Sequence, residues 1–258
     1  MSEPLLKVEN LVQHFPVSRT YTVKAVNGVS FNIYPGETYG LVGESGSGKT
    51  TIGRSIIRLY NPTDGRITFN GKVISGALDR NTRSMLRSDM QMIFQDPMAS
   101  LNPRKKVGDI ISEGMDIHHR FANRQEREEK ISEMLKKVGL SPEHAARYPH
   151  QFSGGQRQRL TIARALVGQP DILILDDSAS ALDYATDAAL RKALRTLPAE
   201  TTLFIVSQRT SSLRHADQII VLDDGHVVGI GKHDTLMQTC EVYREIHESQ
   251  FRKGSDVQ

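Results

Sequence analysis

The sequence lacks several features that mark particular classes of protein. Its single cysteine, Cys240, excludes an internal disulfide and permits a reducing compartment. No run of about 18 apolar residues occurs, so no segment is expected to span a bilayer as a helix. The net charge is only +3 and no basic stripe stands out, which argues against nucleic acid as a partner. The N-terminus carries Glu3 and Glu9 without an apolar run, so no secretory signal is expected.

What the sequence contains is typical of one large globular domain. Hydrophobic residues make up 38% and charged residues 24% of the 258 positions, which is an ordinary balance. Strand-like segments at residues 5–15 and 23–33 come first. Strands and helices alternate again after about residue 160, which predicts a parallel sheet with helices on both faces. Apolar residues recur at helical spacing within 131–138, so residues 96–159 are predicted to form a helical insert.

A glycine-rich segment follows the short apolar run at residues 38–42. It reads Gly43-Glu44-Ser45-Gly46-Ser47-Gly48-Lys49-Thr50 and fits the phosphate-loop (P-loop) template at every fixed position. Its glycines let backbone N–H groups approach phosphate oxygens, and the helix expected near Lys49 points its positive end at the same anion. We expect Lys49 to reach the β- and γ-phosphates of a nucleotide, and the Thr50 hydroxyl to ligate Mg²⁺.

The P-loop does not by itself identify the nucleotide or the work that it drives. The residues predicted to bind nucleotide are Gly43, Ser45, Gly46, Ser47, Gly48, Lys49, Thr50 and Thr51. The sequence has no Asn-Lys-x-Asp motif of the guanine-specific kind, and a small-molecule kinase is an open alternative at this point. A glycine-rich turn that binds nothing is the simpler interpretation, but the order of strand, loop and helix argues against it.

A second acidic site follows another apolar strand. Residues 172–175 are Ile-Leu-Ile-Leu, and Asp176 comes directly after them. A buried strand that ends in a carboxylate at the carboxyl edge of a parallel sheet places it beside the phosphates, where it can hold Mg²⁺. An ordinary strand end would look the same, so this motif is weak alone.

Three further motifs carry a family resemblance. They read Ser153-Gly154-Gly155-Gln156-Arg157-Gln158-Arg159, Ile93-Phe94-Gln95-Asp96-Pro97 and Ser180-Ala181-Leu182-Asp183. With the P-loop and Asp176, they make the chain resemble the ATP-binding cassette (ABC) family of transporter ATPases from about residue 5 to residue 250. The resemblance implies an α/β P-loop NTPase fold: a RecA-like core at residues 1–95 and 160–258, an antiparallel β subdomain and an inserted helical subdomain at about 96–159. The whole chain is then a single nucleotide-binding domain.

The resemblance also implies roles for individual residues, with ATP and Mg²⁺ as ligands. Tyr21 resembles the aromatic residue that stacks on adenine, with Phe15 as the reserve candidate. Gln95 resembles the glutamine that touches Mg²⁺ and the attacking water, so the implied metal ligands are Thr50, Gln95 and Asp176. Ser153, Gly155 and Gln156 resemble the residues that cap the γ-phosphate of ATP held by a facing subunit, and Asp183 resembles the dimer-contact aspartate. With Gly154, all of these are counted among the implied cofactor-binding residues.

Two positions depart from the family's catalytic pattern. Asp177 stands where the family usually has a glutamate that polarises water, and Gln208 where it usually has a histidine that contacts the γ-phosphate. The aspartate carboxylate is one methylene shorter, and a glutamine side chain carries no proton or charge to the transition state. The sequence therefore predicts an ATPase with Lys49, Gln95, Asp177 and Gln208 in catalytic roles but with slow hydrolysis. The alternative is that neighbouring groups compensate and the rate is ordinary.

The two halves of the sequence resemble different branches of the family. Up to about Arg159 the chain resembles the ATPase subunits of oligopeptide importers. From Leu160 onward it resembles the degenerate nucleotide-binding domain of heterodimeric multidrug exporters, which makes a recombined or engineered chimera one hypothesis and a divergent natural subunit another.

The function implied by the resemblance is ATP-driven translocation through a separate partner. We expect transmembrane permease subunits on separate chains, a peptide-type substrate, and a second ABC subunit in a homo- or heterodimer that sandwiches ATP. The expected location is cytoplasmic and peripheral, on the inner face of the cell membrane, with membrane contact only through the permease. The alternatives are a regulatory ATP-binding cassette that never hydrolyses, a chimera without a transport partner, and, least favoured, a cassette that acts on nucleic acid.

Overall fold

Two β-sheets organise the structure. The computed structural model describes residues 3–94, 100–117, 120–176, 194, 197–198 and 200–252. The first sheet is antiparallel in the order β2-β1-β4-β5, and the second has the order β10-β9-β3-β8-β7-β6. In the second sheet β10 runs antiparallel to β9, while the other neighbours are parallel.

The antiparallel sheet is close to what the sequence predicts. Its strands are β1 (Leu6–Pro16), β2 (Thr22–Ile33), β4 (Asp64–Phe69) and β5 (Lys72–Val73). Asn70 and Gly71 join the last two strands with φ angles of 47° and 74°. Both central residues of a type I′ hairpin turn require positive φ, which is why the Asn-Gly pair predicts it.

The parallel sheet carries the chemically informative motifs at its strand ends. Its strands are β3 (Thr38–Gly43), β6 (Met90–Ile93), β7 (Ile172–Asp176), β8 (Thr202–Ser207), β9 (Gln218–Asp223) and β10 (His226–Gly231). The sequence interpretation did not include β6 or β10. Both are edge strands of the sheet. Their apolar pattern is short, and pairing with the neighbouring strand determines that they form strands.

Seven α-helices are found in the described part of the chain. They are α1 (Lys49–Ile56), α2 (Arg80–Asp89), α3 (Val107–Ile117), α4 (Arg124–Lys137), α5 (Gly154–Leu166), α6 (His233–Thr239) and α7 (Glu241–Arg252). The sequence predicts that the helix starting near Lys49 runs to about residue 60, whereas α1 ends at Ile56, and it does not predict α2. The sequence also predicts a helix at residues 185–197 ended by Pro198, which falls largely outside the described residues.

The alternation of side chains along β7 explains its continuous apolar run. Ile172 and Ile174 pack with both sheets and α1 in one core cluster, whereas Leu173 and Leu175 pack under helices α3–α5 in another. A strand buried on both faces has no polar side to show in its sequence. The strand is thereby fixed from above and below, and its last residue, Asp176, is held at a defined position.

The described residues contain no helix that is both long enough and apolar enough to cross a membrane.

Helix α1 packs against strands of both sheets, with Ile52 and Ile56 fully buried. Burial of each such side chain contributes roughly 1.5–3 kcal/mol, so the helix that begins at the P-loop is firmly anchored.

Candidate functional site

The P-loop connects the central strand β3 directly to α1. Gly46 and Gly48 adopt φ angles of 86° and 98°, which L side chains disfavour. At Gly48 an added Cβ would also lie 2.3 Å from the Ala25 carbonyl oxygen, so no side chain fits. Because the N-cap of α1 is this glycine, no side chain caps the helix. Backbone N–H groups in the first turn of a helix have no carbonyl partner within the helix, so this end can attract an anion.

The Lys49 ammonium folds back over the loop. Its side chain is buried, and Nζ donates to the carbonyl oxygens of Gly43 at 2.9 Å and Glu44 at 2.6 Å, and to Ser47 Oγ at 3.4 Å. A buried cation needs such partners to offset its lost hydration. The contacts fix a positive charge above the loop where phosphate oxygens would approach.

Thr50 and Asp176 meet across the sheet edge. Thr50 Oγ1 donates to Asp176 Oδ1 at 2.8 Å, and Asp176 is only 2% exposed. A hydroxyl and a carboxylate side by side are hard oxygen donors of the kind that Mg²⁺ prefers. The two residues therefore fit the predicted metal site. The third predicted ligand, Gln95, lies outside the described residues.

The strand register places Gln208 next to this pair. Strand β8 lies between β3 and β7; Ser207 pairs with Val42, and Val206 pairs with Asp176. Gln208 is the next residue, and adjacent strands are about 4.8 Å apart. Its exposed side chain thus leaves the sheet between the P-loop and the acidic strand end.

The loop after β8 is held by the last helix. The Gln208 carbonyl oxygen accepts from Gln250 Nε2 at 2.6 Å, and Thr210 N donates to Gln250 Oε1 at 3.1 Å. Sequence analysis did not identify Gln250, because a single glutamine on a polar helix carries no signal. Of the other predicted catalytic and contact residues, Asp177 and Asp183 lie outside the described residues.

The two candidates for adenine stacking differ in availability. Tyr21 is 61% exposed and directly precedes strand β2. Ala25 of that strand lies against Gly48 of the P-loop. The Phe15 ring instead packs edge-to-face on Tyr60, with centroids 5.2 Å apart. An exposed ring can stack on a base without first giving up a partner, so the geometry favours Tyr21 over Phe15.

The Ser-Gly-Gly-Gln motif opens α5. Ser153 Oγ accepts from Gln156 N at 3.3 Å, and Ser153 N donates to Gln156 Oε1 at 3.0 Å, forming a capping box. Ser153 and Gly154 are exposed. Helix α5 packs against α3, α4 and β6, whereas α1 packs against β1, β2, β3, β7 and β8. The exposed end of α5 and the P-loop therefore belong to different helices, although both helices pack on β7, from opposite faces.

A cavity of about 880 Å³ lies away from the P-loop, between α1–α2 and the helices α3 and α5. Among the described residues that line it, the charged ones are Arg58, Arg83, Arg87, Arg120, Arg164 and Glu113. We call it the arginine groove. Its apolar floor includes Leu86, Met90 and Met92. The sequence did not predict it, because its arginines come from four separate segments.

Two arginines of this groove lose hydration through burial. Arg58 Nη2 donates to Asn61 Oδ1 and to the Gly76 carbonyl oxygen, while Arg58 Nε and Nη1 are buried without a hydrogen-bond partner in the described structure. Burial lowers the pKa of Arg58, and it also lowers the pKa of Arg164. An anion placed in the groove would offset the cost of that desolvation.

Comparisons with known proteins agree with the motif-based expectation. A family model described as "ABC transporter" matches residues 26–180. The chain is 49% identical over 241 residues to the oligopeptide transport ATP-binding protein OppF of Bacillus subtilis, covering 92% of this chain and 79% of that protein. It is 44% identical over 243 residues to the dipeptide transport ATP-binding protein DppF of Lactococcus lactis, covering 92% and 78%.

Solved structures give the same fold. The dimeric ATP-binding cassette MJ0796 bound to ADP and Pi superposes with a TM-score of 0.81 at 29% identity, covering 88% of this chain and 98% of that one. A bacterial Atm1-family ABC exporter with ATP bound gives a TM-score of 0.78 at 29% identity, covering 96% of this chain and 42% of that one. These matches confirm the predicted α/β P-loop NTPase fold class.

The expectation of an exporter-like C-terminal part gains no support. An alignment of 241 residues with OppF necessarily extends well past residue 160 in a chain of 258. Similarity to the oligopeptide-transport relatives is therefore not confined to the N-terminal part, and nothing in the comparisons indicates a junction there. The exporter-like interpretation rested on residues 172–183 and 217–250 together with the altered positions Asp177 and Gln208, and the similarity to OppF extends through most of that part.

Proposed function

Because the chain belongs to the ABC transporter family of ATPases, we propose that it is the ATP-binding subunit of a peptide importer. Its ATP binding and hydrolysis would drive peptides through separate transmembrane subunits. The observation that carries the proposal is the Thr50–Asp176 contact beside the Lys49 ammonium, which joins the P-loop to the second acidic strand. The peptide substrate is supported by the names of the oligopeptide and dipeptide transport relatives.

In this proposal the P-loop and α1 bind the triphosphate. Backbone N–H groups of the loop and the first turn of α1 would donate to phosphate oxygens, and Lys49 would exchange its carbonyl partners for them. Mg²⁺ would be held by Thr50 and Asp176, with Gln95 as the third ligand, and would neutralise charge on the β- and γ-phosphates. Tyr21 would stack on the adenine.

A second cassette would complete the site. The exposed residues Ser153 and Gly154 at the start of α5 offer a second helix N-terminus that could face an anion, on a different helix from the P-loop. We propose that Ser153, Gly155 and Gln156 contact the γ-phosphate bound by a facing cassette, with Asp183 at the dimer contact. The dimeric state of the similar cassette MJ0796 supports this arrangement. The partner is a second copy of this chain or a related subunit.

Hydrolysis in this site is proposed to be slow. Gln208 follows the end of β8, which lies between the end of β3 and Asp176, so its side chain would be near the bound phosphates. A neutral amide would stabilise negative charge on the γ-phosphate less than an imidazolium does. The shorter Asp177 carboxylate adds a second deficit, since a misplacement of about 1 Å can cost about 10²-fold in rate. ATP binding does not depend on either residue. The same two residues support a second candidate, a regulatory cassette that binds ATP without turning over.

The arginine groove is proposed to bind the membrane partner. Five arginines and one glutamate among its described lining residues give it a net positive charge. We infer that its occupant is a short cytoplasmic segment of a transmembrane subunit that carries acidic side chains over an apolar face. Charge complementarity of this kind guides association and orientation. It would hold the subunit on the inner face of the cell membrane without a membrane-spanning helix of its own.

One experiment separates the candidates. The chain is produced in cells that lack their own oligopeptide transport ATP-binding protein but keep the transmembrane subunits, and uptake of a labelled peptide is measured. Purified protein is assayed in parallel for Mg²⁺-dependent ATP binding and phosphate release, with Lys49→Ala as the binding-deficient control. Restored uptake with measurable phosphate release supports the importer. ATP binding with no phosphate release and no uptake would support the regulatory cassette instead.

A further inference from the structure

A single side chain of the last helix holds three atoms of the loop that carries Gln208. Gln250 Nε2 donates to the Gln208 carbonyl oxygen at 2.6 Å. Gln250 Oε1 accepts from Thr210 N at 3.1 Å and from Thr210 Oγ1 at 3.2 Å. The assignment of the amide atoms is fixed by chemistry, because a carbonyl needs a donor and a backbone N–H needs an acceptor.

Helix α7 does not need this contact for its own attachment. Tyr243 is fully buried and Ile246 is 6% exposed, and both belong to the core cluster that includes Val42 and Ile219 of the central sheet. His247 Nδ1 makes a separate contact with Thr210 Oγ1 at 2.8 Å. Loss of the Gln250 amide would therefore leave α7 docked and Thr210 held by His247, while the Gln208 carbonyl oxygen loses its contact with the helix.

Other contacts of the described loop residues lie beside Gln208 and not on its carbonyl oxygen or exposed side chain. Arg209 N donates to Ser207 Oγ at 2.9 Å, and the short 3-10 turn Thr210–Ser212 follows. The Gln208 side chain is exposed, so packing does not orient it. Its position depends on its backbone, and the backbone carbonyl is the atom that Gln250 holds.

We propose that Gln250 is a positioning residue for the ATPase reaction: its amide clamps the backbone of residues 208–210 and so sets where the Gln208 side chain meets the γ-phosphate. The inference rests on the proposed role of Gln208. It gives α7 a part in the reaction through its contacts with residues 208 and 210.

The test compares Gln250→Ala and Gln250→Glu with the unmodified chain. The Ala variant removes all three contacts. The Glu variant keeps an acceptor for Thr210 N but loses the donor to Gln208 and sets a carboxylate against its carbonyl oxygen. Glu245→Ala, at an exposed position of the same helix, is the matched control. ATPase kcat and KM and the thermal unfolding midpoint are measured for each chain, and the Ala change is repeated in Gln208→Ala and Gln208→His.

We expect both Gln250 variants to lower kcat about five- to tenfold, less than the ~10²-fold cost of a full 1 Å misplacement, with KM for ATP unchanged. In Gln208→Ala the second change should have no further effect, and in Gln208→His the loss should reappear. The control should match the unmodified chain.

Each other outcome is decisive. An equal loss with and without the Gln208 side chain would show that Gln250 acts elsewhere, and full kcat in Gln250→Glu would show that the Gln208 contact is irrelevant; either overturns the inference. If Gln208→Ala lowers kcat and Gln250→Ala does not, the inference fails while the proposed role of Gln208 stands. If neither change affects kcat, both fail. A fall in kcat that merely follows the unfolding midpoint across all variants, Glu245→Ala included, would indicate a structural role and overturn the inference.

Discussion

Thr50 Oγ1 lies 2.8 Å from Asp176 Oδ1, although 126 residues separate the two positions in the chain. Strand β8 separates β3 from β7 in the sheet, and helix α1, which follows β3, packs across all three strands. Thr50 at the start of α1 can therefore reach Asp176 at the end of β7. The contact joins the two motifs that the sequence shows separately into one oxygen-lined site.

Removal of the Thr50 hydroxyl should weaken nucleotide binding only when Mg²⁺ is present. We expect Thr50→Ala to raise the dissociation constant for ATP with Mg²⁺ by more than about tenfold, or about 1.4 kcal/mol. Affinity in the presence of a chelator should change little, since Lys49 and the loop N–H groups remain. Titration with a fluorescent ATP analogue provides the measurement. Thr50→Ser keeps the hydroxyl and should retain binding; equal loss in both variants would argue against metal ligation.

Restoration of the family's usual residues should speed hydrolysis. We expect Asp177→Glu combined with Gln208→His to raise kcat by more than about tenfold, because the carboxylate reaches further and the imidazole can carry a positive charge. Phosphate release under saturating ATP is the readout, with the added Lys49→Ala change as the blank. Fast hydrolysis in the unmodified chain, or no gain in the double variant, would show that neighbouring groups already compensate.

Reversal of one charge in the arginine groove should uncouple transport from ATP hydrolysis. Arg83 is exposed and far from the P-loop in the fold, so Arg83→Glu should leave the ATPase rate of the isolated subunit unchanged. Peptide uptake in the reconstituted transporter should fall at least about fivefold, because the acidic segment proposed to bind there would be repelled. Arg66→Glu, at an exposed arginine on β4 outside the groove, serves as the control. Equal uptake in the two variants would place the membrane partner elsewhere.

Stability should fall on mild acidification because of His247. Burial, helped by the charges of His233 and Arg214, lowers the pKa of His247, so folding favours its neutral form. Its contribution is therefore complete above the unfolded value of about 6.5 and is lost as the pH falls through the lower folded pKa. Denaturant midpoints at pH 7.5 and 5.5 should differ less in His247→Gln than in the unmodified chain. The exposed His226→Gln variant should keep the full difference; identical pH dependence in all three chains would contradict the prediction.

Local motifs predicted the parts of the site that lie within one segment. The P-loop, the Asn70-Gly71 hairpin and the helix start at Lys49 depend on glycines and on residues adjacent in the chain, so short-range physics decides them. The edge strand β6 and helix α2 were missed because their apolar pattern is brief and their partners are distant in sequence. The exporter-like C-terminal part was inferred from residues 172–183 and 217–250 and two altered positions, and the similarity to OppF over 92% of the chain does not support it.

The sequence by itself determined the phosphate-binding chemistry of this protein, because the glycine-rich turn and the helix start that suit a phosphate lie within one continuous segment. Only the tertiary structure decided that Thr50 meets Asp176, that five arginines line one groove, and that Gln250 holds the Gln208 loop. These contacts join residues from separate elements. Their distances follow from strand order and helix packing, which no short stretch of sequence contains.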